Sequence, residues 1–445
     1  MRATLDRLGL PAFGYRPYQV FFASNLLANA GIFVFMAAFG WFMQTSTGSP
    51  ALVGLAYGIL GLPWLLLMLH AGMLTDRIGA RVSLAVSLVT GGLAMAAVAA
   101  VALLPDPSVA LVLGLAFVMG VFMTIGAPGS ISIVGELVPP AALSSAVSLN
   151  FLLINVARIV GGSAAGVLLA DERPPGYAIL VAAAMFAIPG IFVWRLRTPP
   201  TPRARGSVTL LRPIIEAGAH AFRFPTLGMI LLLSAGPGLI GLPYNFLLPV
   251  AAHELDIGPQ GLGLLLTGAG LGGLVAGLGA EHVQRALGHG RSIFVGLIAA
   301  AGGLILFGLG PGLQLSMLGI AFAGGGFVLY ASSSLTLVQA LSPPSLRGRL
   351  TSVFSLLYWG LMPVGGVLGG IVAQAASARV AMLGAGIVLA LLGLVAVVRR
   401  PQVLTLAVSR DGLSLAGDLA GSGAHEGGLA APVAVRVASD DASTR

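Results

Sequence analysis

One arginine, Arg158, lies deep inside a long apolar run of the chain. About fourteen residues separate it from the start of that run, which is a depth of about 21 Å at about 1.5 Å per helical residue. A charge at this depth in a membrane is costly and usually faces a cavity or a polar partner. No Asp or Glu stands at a comparable depth in another apolar run. Arg158 is therefore a candidate for binding an anionic group of a ligand, and the alternative is a structural arginine bonded to backbone carbonyls or to Asn155.

Polar side chains in other apolar runs are candidate neighbours for this charge. Asn25 and Asn29 are four residues apart and therefore share one face of a helix. Trp359 stands well inside a later run, where its ring could stack on a ligand. We expect seven side chains to contribute to the wall of a ligand cavity: Asn25, Asn29, Asn155, Arg158, Tyr244, Asn245 and Trp359.

Two groups of glycines indicate helix bending or helix packing. Gly236-Pro237-Gly238 interrupts an apolar run, and such a break frees backbone groups that must face protein or water. It predicts either a bend that gates a cavity or a simple kink. Gly161, Gly162 and Gly166 offer small surfaces that let a second helix approach closely.

A short charged stretch separates the second and third apolar runs. It contains Asp76, Arg77 and Arg81, in a chain of which only 9% is charged. Gly72 and Gly79 permit a close backbone approach and a tight reversal. The pattern predicts a short charged loop that joins two membrane helices.

The elements that must position these residues are membrane helices. The chain has 445 residues, 57% of them hydrophobic, and its mean hydropathy is +0.98, whereas a soluble chain is about half apolar and about a quarter charged. At about 20 residues per span there is room for about a dozen helices, and the long apolar runs do not indicate barrel strands. We predict twelve spans, at residues 18–44, 51–71, 82–104, 109–133, 144–170, 177–196, 226–252, 259–280, 291–310, 313–338, 350–375 and 380–398.

The basic residues are all arginines, and their distribution sets the orientation. Twenty of the 23 fall in the segments that share one side with both termini, whereas Arg173 and Arg379 fall on the other side and Arg158 lies within a span. Cytoplasmic loops carry such an excess, so both termini are expected in the cytoplasm. The same bias explains the net charge of +8, which therefore does not indicate nucleic-acid binding. The absence of cysteine excludes disulfides and thiolate metal sites.

The chain divides near its middle at a linker rich in Pro and Arg. Residues 207–222 of this linker show a partly helical apolar spacing, and they either lie on the inner membrane surface or form a plain linker. The tail lacks a long apolar run and is expected to be disordered. We expect a cytoplasmic N-terminus, a six-helix half, a cytoplasmic linker, a second six-helix half and a disordered cytoplasmic tail, at residues 1–17, 18–197, 198–224, 225–398 and 399–445.

The two halves repeat one another at an offset of about 204 residues. Pro139-Pro140 corresponds to Pro343-Pro344, at the start of the same helix in each half. Three glycines of the first half also have counterparts in the second, Gly161, Gly162 and Gly166 falling on Gly365, Gly366 and Gly370. The repeat predicts two parallel halves of six helices each.

The charged stretch resembles the loop signature of the major facilitator superfamily between its second and third helices. Six residues match, and Ala80 stands where the family usually has a basic residue. Pro343-Pro344, Arg347-Gly348-Arg349 and residues 359–366 resemble the drug and siderophore exporter branch, the transmembrane secretion effectors, which includes enterobactin exporters and macrolide efflux proteins. The matching residues of the loop are Gly72, Leu74, Asp76, Arg77, Gly79 and Arg81.

The resemblance covers about residues 18–398 and implies a mechanism as well as a fold. By this resemblance, the substrate site would lie between the halves, which would rock to expose it to each side in turn. The charged loop would latch the halves together on the cytoplasmic side. Superfamily antiporters carry a Gly-Pro pair in the fifth helix, but Gly162 stands where that proline is expected.

These features together predict a secondary active transporter that exports an amphipathic small molecule by alternating access. The expected partners are the substrate, the lipid bilayer and protons as the coupling ion, for a monomer in a bacterial inner membrane. We expect no enzyme activity, cofactor or metal, because the six His and fifteen acidic residues are scattered, and without Lys there is no nucleotide-binding loop. A lipid or lysolipid translocator of the same fold and a membrane scaffold or sensor are the alternatives.

Overall fold

The computed structural model describes residues 11–170, 173–198, 224–310, 312–343, 346–409 and 412–415. Within them, twelve helices are long and apolar enough to cross a membrane, which confirms the predicted number. Most of the central linker, including residues 207–222, lies outside the described residues. The helices are α1 Arg16–Thr47, α2 Pro50–Ile78, α3 Ala80–Ala102, α4 Val109–Leu137, α5 Pro140–Ala170, α6 Gly176–Trp194, α7 Thr226–Glu254, α8 Gly258–Leu287, α9 His289–Leu309, α10 Leu313–Leu341, α11 Arg347–Ala375 and α12 Ala378–Arg399.

Local sequence explains where several helices begin. Ser49, Ser108 and Ser377 precede α2, α4 and α12, and each hydroxyl accepts a hydrogen bond from a backbone N–H of the first turn. Such caps satisfy donors that have no partner within the helix. Pro50 occupies the first position of α2, where its missing N–H costs nothing.

The charged stretch after the second span is mostly helical, contrary to the predicted loop. Asp76 and Arg77 belong to the last turn of α2, and only Gly79 separates α2 from α3. The helix extends past the apolar run because exposed charged side chains are hydrated there. Gly79 has φ +91°, and Gly288 between α8 and α9 has φ +80°, so both reversals use a conformation that favours glycine.

Each half packs its helices mainly with one another. In the first half α3 lies against α4 and α6, and α1 lies against α5 and α6. In the second half α9 lies against α10 and α12. We call the side of the bundle where α1 begins and α12 ends the terminal side, and the other the far side.

The tail prediction is wrong for residues 401–409, which are ordered rather than disordered. Pro401–Thr405 is a 3₁₀ helix, and β1 (Leu406–Ser409) pairs antiparallel with β2 (Gly412–Leu415). Val403 and Ala407 are fully buried. The Val408 N–H donates a hydrogen bond to His289 Nδ1 over 3.2 Å. These buried contacts on α9 offset the ordering entropy, although the segment contains no long apolar run.

We expect Gly290→Ala to destabilise the protein and to release this segment. A Cβ at Gly290 would collide with the Val403 carbonyl group, and backbone on both sides leaves little room to relax. Gly302→Ala in the same helix is the control, because nothing lies within 4 Å of its Cβ, and alanine favours a helix over glycine by about 1 kcal/mol. Thermal unfolding and proteolysis after residue 400 should separate the two variants. Equal melting temperatures and cleavage rates would refute the docking.

Candidate functional site

Helices α2 and α11 form the first contact between the halves, on the far side. The Ser49 hydroxyl donates to Oε1 of the Gln374 side chain over 2.8 Å. Gly54 approaches so closely that a Cβ there would lie 2.9 Å from Gly370 Cα. Such small-residue packing is typical of helix association in membranes.

Helices α5 and α8 form the second contact. Gly166 approaches Gly263, since a Cβ on Gly166 would lie 3.2 Å from Gly263 Cα. The hydroxyls of Ser163 and Thr267 are 3.0 Å apart and hydrogen-bonded. Gly162 also belongs to this contact, since a Cβ there would lie 2.7 Å from Leu266 Cβ. Gly161 instead faces α1 within its own half.

Aromatic rings form the third contact between the halves, where α1 and α2 meet α7. Tyr57 stacks on Phe246 with a centroid distance of 4.5 Å, and Trp41 meets His253 edge to face at 6.1 Å. The Tyr57 hydroxyl donates to the Met36 carbonyl over 2.5 Å. All three contacts lie toward the far side, so this side is closed.

These contacts end before the terminal side. The last ones in that direction are looser: a Cβ on Gly360 of α11 would lie 3.6 Å from Leu65 of α2, and a Cβ on Gly277 of α8 would lie 3.3 Å from Leu152 of α5. Gly72, seven residues after Leu65 and therefore on the same face of α2, has nothing within 4 Å of its Cβ position. Trp359, four residues before Pro363 on α11, is 47% exposed. The halves therefore enclose a cleft that opens to the terminal side.

Arg158 stands near the closed end of this cleft, between the halves. It follows eighteen residues after the start of α5, a distance of about 27 Å at about 1.5 Å per residue. Its guanidinium lies 5.1 Å from the centre of the Phe33 ring and close to the Tyr244 hydroxyl of α7. Arg158 Nε is buried and has no hydrogen-bond partner among the described residues. A buried donor without a partner is costly, so the guanidinium retains an unused donor for a ligand.

Tyr244 belongs to an aromatic cluster of the second half, in which the Trp359 ring is exposed and the others are buried. Tyr244 stacks on Phe327 at 6.0 Å, and Tyr330 stacks on Tyr358 at 6.0 Å. Trp359 meets Tyr358 edge to face at 4.9 Å. The Tyr358 hydroxyl donates to the Phe327 carbonyl over 2.9 Å.

Sequence reasoning missed most of this cluster. The candidates did not include Phe327, Tyr330, Phe354 or Tyr358. Phe354 extends the cluster, since it stacks on Tyr358 at 5.6 Å. The spacings of three and four residues within α10 and α11 were the available signal, because they place the rings on one helix face. The spacing did not reveal that these two faces pack against each other.

Helices α7 and α11 each contain a π-helical segment, and the two segments touch. Pro237–Gly241 interrupts α7, where the sequence predicted a break, and Leu356–Gly360 interrupts α11. A Cβ on Gly238 would lie 2.8 Å from the Tyr358 carbonyl oxygen, so only glycine allows this approach. Gly236 faces α12. The break in α11 was not predicted, although Pro363 nearby lacks a backbone donor. Single π-helical turns are frequent at functional sites.

The asparagines are distributed differently from the prediction. The Asn25 amide donates to Asn150 Oδ1 over 2.8 Å, and the Asn29 amide donates to Asn25 Oδ1 over 2.9 Å. These residues bond one another rather than Arg158, because Asn150 precedes Arg158 by eight residues, about 12 Å along the helix axis. Asn155 is 8% exposed and lies against Gly273 of α8. The Asn245 amide donates to the Leu242 carbonyl of its own helix over 2.9 Å.

The charged stretch after α2 makes its bonds within the first half. Arg81 donates to the Leu196 carbonyl at the end of α6 over 2.6 Å. The Thr75 and Ser83 hydroxyls are 2.9 Å apart, and Ser83 donates to a backbone carbonyl of α4. Asp76 and Arg77 are exposed. No hydrogen bond from these residues to the second half is present in the described part of the chain, as an open terminal side requires.

Twelve helices in two halves around a cleft with a deep arginine define a membrane transporter of the major facilitator type. Solved structures show the same fold. The nucleoside transporter NupG has a TM-score of 0.70 at 15% identity, covering 86% of this chain and 98% of that one. A bacterial homologue of the human lysosomal transporter Spinster, in an inward-facing and unoccupied conformation, has a TM-score of 0.64 at 16% identity, covering 86% and 97%.

The chain belongs to the transmembrane secretion effector family, whose profile matches residues 10–410. Similar curated proteins are exporters. The multidrug efflux pump Tap of Mycolicibacterium fortuitum is 26% identical over 396 residues, which are 86% of this chain and 95% of that protein. The enterobactin exporter EntS of Salmonella typhimurium (strain LT2) is 25% identical over 365 residues, 79% of this chain and 86% of that protein.

Proposed function

We propose that this protein exports an amphipathic small molecule across the bacterial inner membrane by alternating access. The observation that carries the proposal is Arg158, whose guanidinium keeps an unpartnered donor at the closed end of a cleft between the halves. An anionic or strongly polar group of the substrate would bind this donor, and its apolar part would lie against Phe33 and against Trp359, the exposed ring of the aromatic cluster. The efflux proteins among its relatives support the export direction.

Alternating access follows from the way the two halves touch. The far-side contacts consist of glycines, two aromatic pairs and two hydroxyl hydrogen bonds, and such contacts can separate without exposing a buried charge. Gly72 and Gly79 on the terminal side have open space, so α2 and α11 can approach each other there when the far side opens. In this proposal the terminal side is cytoplasmic, and the described conformation admits substrate from the cytoplasm.

The proton gradient is the energy source in this proposal, and one molecule of the chain is the working unit. The described acidic residues of the spans lie toward helix ends, as Asp76, Glu136, Glu254 and Glu281 do. Proton exchange would therefore take place at the mouths of the cleft rather than beside Arg158. A monomer suffices because both walls of the cleft come from the same chain.

The proposal is tested by efflux of amphipathic dyes and antibiotics, both anionic and cationic, from cells that express the chain. We expect the expressing cells to lose at least one anionic member of the panel faster than cells with empty vector, and a protonophore to abolish the difference. Efflux that persists with the protonophore would refute proton coupling but not export. Retention of every compound by cells with folded protein in the membrane would refute the exporter proposal for this class of substrate.

A further inference from the structure

A groove on the outer surface of the first half lies apart from the cleft. It runs between α3 and α6, has a volume of about 460 Å³, and is lined by Val86, Val89, Thr90, Ile191 and Trp194 together with small residues at its floor. Both helices pack against neighbours of their own half. Because Val86, Ile191 and Trp194 are largely exposed apolar residues within spans, the groove faces the hydrocarbon of the bilayer.

The shape of the groove suits a hydrocarbon chain. At its floor Gly190 allows α6 to approach α3, since a Cβ there would lie 2.8 Å from Val89 Cγ2 and 3.0 Å from the Ala85 carbonyl oxygen. The larger side chains on either side form the walls. The Thr90 hydroxyl donates to the Val86 carbonyl of its own helix over 2.7 Å, so its polar atom has a partner and the wall is otherwise apolar.

The terminal-side end of the groove is cationic. Arg195, the first residue after α6, lines the groove, and its exposed guanidinium has no hydrogen bond or ion pair with the described residues. Arg81 binds the Leu196 carbonyl and therefore brings a second guanidinium nearby. Arg197 supplies a third guanidinium, which is exposed. Trp194 precedes them at the level where tryptophan favours the membrane surface. Apolar walls that end in cationic groups at the surface match the two parts of an anionic phospholipid.

We propose that an anionic glycerophospholipid binds in this groove, with its phosphate on Arg195 and one acyl chain between α3 and α6. A guanidinium binds a phosphate through two parallel charge-assisted hydrogen bonds. The bound lipid would hold the end of α6 against α3, next to the reversal between α2 and α3.

The second half differs at the corresponding position and supplies a control. Arg400 is the first residue after α12, as Arg195 is the first residue after α6. After Arg400 the chain turns back at once, and Pro401–Ser409 covers the first turn of α9 through the contact of Val403 with Gly290. The site therefore belongs to the first half only.

The test is thermal unfolding of the full-length protein in a mild detergent, titrated with phosphatidylglycerol, phosphatidylcholine or inorganic phosphate, and native mass spectrometry to count bound lipids. We expect one phosphatidylglycerol to bind and to raise the melting temperature, with no effect of the other two. Arg195→Gln should weaken this binding at least five-fold, Val86→Trp should do the same by filling the groove, and Arg400→Gln should leave it unchanged.

Four results would overturn the proposal. Equal weakening by Arg195→Gln and Arg400→Gln would indicate diffuse attraction to the cationic surface. Stabilisation by inorganic phosphate, or binding unaffected by Val86→Trp, would indicate an anion site without an acyl-chain site. A dimer that Val86→Trp dissociates would assign the groove to a second copy of the chain. All variants leave Arg158 intact, so failure of the export assay would not affect this test.

Discussion

Arg158→Ala is expected to reduce substrate efflux about ten- to hundred-fold while the amount of folded protein in the membrane stays at the wild-type level. A hydrogen bond to a charged group contributes about 1.5–3 kcal/mol, and about 1.4 kcal/mol corresponds to a factor of ten. Folding should not suffer, because the substitution removes a costly charge and an unpartnered buried donor. Transport of the substrate found in the dye and antibiotic panel, normalised to folded protein, is the measurement.

Two further variants isolate the role of this guanidinium. Arg158→Lys keeps the charge but lacks the planar fork of donors, and it should retain only part of the activity. Arg285→Ala is the matched control, because this exposed arginine pairs with Glu281 over 3.1 Å on the surface of α8 and such pairs contribute little. Wild-type efflux by well-folded Arg158→Ala protein would rule out the assigned role, and equal losses in Arg285→Ala would make the effect non-specific.

A disulfide between residues 163 and 267 is expected to stop transport reversibly. Ser163 of α5 and Thr267 of α8 have hydroxyls 3.0 Å apart across the two halves, and the chain has no cysteine of its own. Oxidation of the double variant Ser163→Cys/Thr267→Cys with copper phenanthroline, which enters the membrane, would join the halves on the far side. Because a disulfide sulfur pair is only about 2.05 Å apart, the far side could not open, and efflux should fall at least ten-fold until a reductant restores it.

A pair within one half provides the control for this cross-link. The Thr75 and Ser83 hydroxyls are 2.9 Å apart, but α2 and α3 belong to the same half and move together in the proposed mechanism. Oxidised Thr75→Cys/Ser83→Cys protein should therefore transport at the rate of its reduced form, as should each single-cysteine variant. Full efflux by completely cross-linked 163–267 protein would contradict alternating access through an opening of this contact.

The charged stretch after α2 shows where sequence patterns and structure diverge. The six matching residues identified the major facilitator superfamily correctly, because this short signature depends on local chain geometry: Gly79 makes the reversal at positive φ. In the proposed mechanism, the expected latch between the halves would form in another conformation. Here the halves are apart on this side, so Arg81 binds only the end of α6.

The site was predictable only in part. Arg158 was identified because a charge in an apolar run is conspicuous in any membrane chain. Its neighbours were not, because a helix within a bilayer is apolar on both its lipid-facing and its buried side, and periodicity does not show which face turns inward. The sequence therefore gave no signal that linked Tyr358 to Phe327 or Asn25 to Asn150.

The sequence by itself determined the properties that depend on one segment at a time. The length of each apolar run fixed the number of spans, and the depth of Arg158 followed from its position in one run. Only the tertiary structure decided which segments meet: the closed far side, the pairing of Ser163 with Thr267, the touching π-helical segments and the docking of Val403 on α9. These depend on contacts between residues far apart in the chain, whose formation is governed by the packing of small side chains and the rotation of each helix rather than by local hydropathy.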